Sequence, residues 1–73
     1  MYTGKECKKI RTVLGLSARE IGDHIYLTRQ CINNIEAERN CSKSSLLLLN
    51  IFLTEYAKVK GIDIDKILEV WDW

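Results

Sequence analysis

Residues 16–39 read LSAREIGDHIYLTRQCINNIEAER. Ser17 and Glu20 form an S-x-x-E capping box, in which hydroxyl and carboxylate each accept from an amide that a helix start leaves unpaired. Leu16, Ile21 and Ile25 then share one side at about 3.6 residues per turn, which predicts a short amphipathic helix from Ser17 to about Ile25. Thr28 offers a second N-cap hydroxyl. Beyond it Ile32 and Ile35, with Leu27 just ahead, form the apolar side of a second short helix. The stretch is therefore read as two short helices joined by a tight turn.

Arg29, Gln30, Asn33 and Asn34 are left on the polar side of the second helix. An ordinary solvated helix surface is built from Glu and Lys, and asparagine is a poorer helix former that has no conformational reason to appear there twice. Arginine, glutamine and asparagine are also the side chains that make paired hydrogen bonds to guanine and adenine edges in the major groove. All four are candidates for contacting DNA bases, with Cys31 placed to touch at most a thymine methyl or a phosphate.

With these residues in place, residues 7–39 resemble the helix-turn-helix of the phage-repressor family, the lambda-repressor and Cro-like or XRE-type proteins. That family runs approximately I-x-x-L-R, then L-S-Q-x-E-L-A-x-x-L-G-V-S, then R-x-x-I-x-x-I-E. Here Cys7, Ile10-Arg11, Leu16-Ser17, Glu20-Ile21-Gly22, Ile25, Leu27-Thr28-Arg29, Ile32 and Ile35-Glu36 stand at matching spacing. The resemblance implies an all-α, five-helix lambda-repressor-like DNA-binding domain. It also implies that Arg11 pairs with Glu36, a partner that a partly buried arginine needs.

The chain departs from the pattern at three positions. Ala18 replaces the usual phosphate-reaching glutamine, with Arg19 next door as its substitute. Tyr26 replaces a turn glycine, which costs about 1–2 kcal/mol if the left-handed geometry is kept and the ring does not recover it by packing or by a phosphate contact. Glu38 stands where a helix-ending glycine is common, so the second helix is expected to run on to Asn40, which tolerates the left-handed cap. Gly22 is read as structural: inside a helix it costs about 1 kcal/mol relative to alanine, a loss explained by a close approach of two helices.

Seventy-three residues make one domain, 1–73, whose core is small enough that association matters to its stability. Cys7, Cys31 and Cys41 with a single histidine support neither a disulfide framework nor a four-ligand zinc site, so no metal and no cofactor are expected, and a reduced, cytoplasmic setting is. No signal sequence is read ahead of Cys7, and the longest apolar run, residues 46–49, is far short of the ~20 residues a membrane span needs. Net charge is only +1, but residues 1–43 hold eight Lys or Arg against five Asp or Glu, and the remainder three against five. The basic excess thus gathers on the part that carries the motif, as a phosphate-facing surface requires.

A first helix is expected over residues 5–14, with Cys7, Ile10 and Leu14 inward, Lys5, Lys8 and Lys9 outward, and Gly15 as its end. After Arg39 comes a polar loop, Asn40-Cys41-Ser42-Lys43-Ser44-Ser45, in which Ser42 or Ser44 caps the next helix and the remaining groups can hold a sugar-phosphate backbone. Phosphate contacts are accordingly expected at Arg19, Tyr26, Thr28, Arg39, Asn40, Ser42 and Lys43. Residues 46–53 are apolar at seven of eight positions, more than one buried stripe can use, so one side of this helix closes the core and the other is expected to meet a second copy. Gly61 ends that helix, and Asp63 can cap a last one from Ile64 to about Trp71. Residues 46–73 are thus the expected dimer surface, with Phe52, Tyr56, Leu68, Trp71 and Trp73 its principal members.

No catalytic residue is proposed: His24 lies on the outer side of its helix without a nucleophile partner, and the chain has no glycine-rich phosphate loop. The reading is a cytoplasmic, homodimeric, sequence-specific regulator of transcription that binds double-stranded DNA, most simply a repressor. Two alternatives remain: an antitoxin-like or phage-encoded autoregulator with a protein partner, and a protein-interaction module that has lost DNA binding, for which Ala18, Tyr26 and the near-neutral charge speak.

Overall fold

The computed structural model describes residues 1–39 and 41–70. Among them the chain forms five α-helices and no strand: α1 Gly4–Leu14, α2 Ala18–Ile25, α3 Arg29–Glu36, α4 Lys43–Lys60 and α5 Ile64–Val70. Trp71 and Trp73, expected at the dimer surface, and Asn40, expected at a phosphate, lie outside the described residues. No helix among the described residues is long and apolar enough to cross a membrane.

The helix starts are local chemistry. Ser17 and Glu20 close the predicted capping box on α2, and Thr28 Oγ1 accepts from the Cys31 amide to open α3. Ser42, rather than Ser44, caps α4 by accepting from the Ser45 amide at 3.1 Å. α1 begins one residue earlier than expected, because Thr3 and Glu6 form a second capping box of the same T/S-x-x-E type. That signal was present in the sequence.

Four helices end on a left-handed residue: Gly15 at φ 75°, Tyr26 at 60°, Glu38 at 58° and Gly61 at 71°. After α3 the amide of Glu38 donates to Ile35 O at 3.0 Å and that of Arg39 to Asn34 O at 2.8 Å, the paired bonds of a Schellman motif. This corrects the expected end of α3: the helix stops at Glu36, and the left-handed position is filled by Glu38 itself instead of being deferred to Asn40. The tyrosine turn after α2 likewise keeps the left-handed geometry that glycine would adopt, with the Leu27 amide donating to Gly22 O at 2.9 Å.

The core is Cys7, Ile10, Leu16, Ala18, Ile21, Ile32, Ile35, Leu49, Leu53, Ala57 and Ile64, drawn from all five helices and the loop before α2. Two close backbone approaches fix how the helices meet. A Cβ on Gly22 would lie 2.3 Å from Leu27 O, so the small residue admits the turn that leads into α3 rather than a neighbouring helix, as its helical position suggested. A Cβ on Gly4 would fall on Ile35 O, so the start of α1 sits directly on the end of α3.

Two buried polar groups complete the frame. Glu36, 6% exposed, receives Arg11 in a two-pronged pair, Nε to Oε2 at 2.5 Å and Nη2 to Oε1 at 3.0 Å, and Arg11 Nη1 also donates to Leu16 O at 3.0 Å. One side chain therefore ties α1, the α1–α2 loop and α3 together. Asn50, also 6% exposed, accepts from the Tyr2 amide at 2.6 Å and donates to Tyr2 O at 3.1 Å and Leu46 O at 2.9 Å. The one polar residue in the apolar run of α4 is thus the clasp that holds the N-terminal segment. Its Nδ2 also lies 3.7 Å from Cys7 Sγ, and burial, with Glu36 and Glu6 nearby, pushes the Cys7 thiol up to about 12.

Candidate nucleic-acid interface

Helix α3 is amphipathic in a strict sense. Its inner side, Ile32, Ile35 and Glu36, is buried; Arg29, Gln30 and Asn33 are exposed and Asn34 is half-buried. Because residues three and four apart share a helix side, Gln30, Asn33 and Asn34 form one surface, with Arg29 a turn before Asn33. Gln30 Nε2 donates to Asn34 Oδ1 at 3.1 Å, which aligns the two amides with each other in solvent. Asn33 and Arg39 meet at a cleft of about 330 Å³ that Lys8, Arg11, Glu36 and Ala37 also line.

The expected phosphate contacts divide by how much of each group is already used. Arg19, Tyr26, Arg39 and Lys43 are exposed. Ala18 is buried in the core at 8% exposure, so the position where the resembled family carries a glutamine faces inward here and the cationic side chain beside it faces out. The Tyr26 ring is 94% exposed, so the cost of its backbone geometry is not recovered by packing on this chain. Thr28 and Ser42 each use an oxygen lone pair as a cap, and the Ser42 hydroxyl donates to Ser45 Oγ at 2.9 Å. Only the Thr28 hydroxyl proton is left for an outside oxygen.

His24 is exposed but stacks on Phe52 with ring centroids 5.3 Å apart, and Phe52 meets Tyr56 at 6.0 Å. Lys60 Nζ lies 5.6 Å from the Tyr56 ring, so Phe52 and Tyr56, expected at a dimer surface, belong to a row that braces α2 against α4. Leu68 is half-buried against the core. The apolar residues that α4 leaves most open to solvent are instead Leu47, 50% exposed, Leu48, 43%, and Ile51, 52%, which form one patch near Met1 at 76%, and Val59, 81%, at the far end of the helix. Sequence reasoning missed this division because the seven apolar residues of the run are alike in character, and only the helix phase fixed by Asn50, Leu49 and Leu53 separates them. Among the described residues, no three of His, Cys, Asp and Glu gather as a metal site.

No protein-family model, curated protein or solved structure matches this chain.

Proposed function

We propose that this chain is a sequence-specific regulator of transcription that binds double-stranded DNA in the major groove through α3, with α2 and α3 acting as a helix-turn-helix of the phage-repressor type. One observation carries the reading: α3 is pinned from beneath by Ile32, Ile35 and the Arg11–Glu36 pair while Arg29, Gln30 and Asn33 stand in solvent. Those side chains offer the hydrogen-bond patterns that base edges complement, and a rigid helix sets their spacing. Arg19, Tyr26, Arg39 and Lys43 supply backbone contacts that orient the helix, and covering a promoter is the simplest outcome.

The test is binding of labelled random-sequence duplex across a salt series. For a DNA binder the logarithm of the binding constant falls linearly with log salt, with a slope close to the number of phosphates neutralised. Absence of binding at low salt excludes the proposal and favours the second reading, a protein-interaction module, for which the exposed Leu47, Leu48 and Ile51 are the specific support. The same three residues are the proposed contact between two copies in a homodimer, which would set two α3 helices about one DNA turn apart. Sedimentation of the intact chain as a monomer at high micromolar concentration removes that part of the proposal.

A further inference from the structure

The amide pair on α3 narrows what the helix can read. Each free amide side chain offers a carbonyl acceptor and two N–H donors. In the Gln30–Asn34 bond, Gln30 spends one N–H and Asn34 spends an oxygen lone pair. Gln30 keeps its oxygen and one N–H, side by side. Asn34 keeps two N–H donors, while its oxygen already faces Gln30. The two side chains are thus no longer equivalent.

In the major groove adenine presents a donor beside an acceptor, the complement of the edge left on Gln30. Guanine and thymine present acceptors and no donor from their own base, the complement of what Asn34 retains. The joined amide atoms are 3.1 Å apart, close to the stacking distance of about 3.4 Å between base pairs, so the two heads suit neighbouring pairs. The backbone positions agree, since four residues of helix advance about 6 Å and both side chains lean toward the bond between them.

We infer that Gln30 and Asn34 act as one bonded unit that selects a single step of DNA, an adenine beside a guanine or thymine. Gln30 reads the adenine and Asn34 the acceptor-only neighbour, each held in position by the other. The inference rests on the DNA-binding reading above and deepens it, because it makes Asn34 a positioning residue for Gln30 as well as a reader.

Enrichment of duplexes from a random pool, by the intact wild-type chain, Asn34→Ala and Asn34→Asp, tests this. The wild type is expected to enrich adenine next to guanine or thymine, with discrimination of roughly 5- to 150-fold at the adenine, where the contact is paired, and less at its neighbour. Asn34→Ala loses the bond and relaxes both neighbouring positions. Asn34→Asp can still accept from Gln30 but has no donor, so it keeps the adenine preference and loses its neighbour's. If Asn34→Ala relaxes one position only, or enriched sites lack the step, the bonded unit is wrong although DNA binding stands. Failure of the wild type to bind any duplex at low salt overturns both readings, and a far-ultraviolet spectrum unchanged in the variants keeps misfolding from imitating any of these results.

Discussion

The ends of α1 and α4 can be set against the ends of α2 and α3, which fall on either side of the polar helix α3. All share one device, a left-handed residue after the last turn, and at Gly15 and Gly61 it is supplied by the residue that adopts it without steric penalty. At Tyr26, just before α3, and Glu38, just after it, the same geometry is imposed on side chains for which it costs about 1–2 kcal/mol each. Backbone strain of this kind tends to gather where a segment is held for a purpose other than stability. Here it brackets the one helix whose outer side is glutamine, asparagine and arginine.

The strongest way to break this contrast is to remove what holds α3 in place. Glu36→Ala leaves the Arg11 guanidinium without its partner beneath α3 and is expected to lower stability by about 3–5 kcal/mol in urea unfolding. A loss below about 1 kcal/mol would mean that α3 is not held by this pair.

Replacing both strained residues, Tyr26→Gly with Glu38→Gly, sharpens the contrast, with an expected gain of about 2–4 kcal/mol if the two sites act independently. Each single replacement is expected to supply about half. Loss of DNA affinity in Tyr26→Gly, alongside the gain in stability, is the expected signature of a ring that contacts the backbone of DNA.

Gly15→Ala tests the other side of the comparison. Nothing lies within 4 Å of the added Cβ, so the only expected effect is conformational, a loss of about 1–2 kcal/mol by thermal or urea unfolding. Gln30→Ala, on the solvent side of α3, is expected to change stability by less than about 0.5 kcal/mol while costing about 1–3 kcal/mol of binding on the preferred site. An equal loss on every duplex would show that Gln30 touches phosphate.

The helices themselves were legible because caps and apolar spacing are local: Ser17, Thr28, Gly15 and Gly61 mark their boundaries within a turn. The Arg11–Glu36 pair was also expected, though from a resemblance rather than from the spacing of the two residues. What escaped was nonlocal. Asn50 interrupts an apolar run in the sequence and is bonded to a backbone 48 residues away, and His24, exposed on the outer side of its helix as expected, also stacks its ring on Phe52. The end of α3 was misjudged for another reason: glutamate has no intrinsic preference for the left-handed region, and only the two amide bonds after Ile35 and Asn34 make it adopt one.

The Asn50 clasp has a further consequence for Cys7. Its thiol is fully buried and lies beneath Tyr2, whose carbonyl oxygen is 3.9 Å from the sulfur. Chemical labelling of this thiol therefore has to wait for an opening of the structure around it, whereas Cys41 is exposed. The ratio of the two labelling rates thus reports how often the structure opens over Cys7, readable by mass spectrometry without altering a single residue.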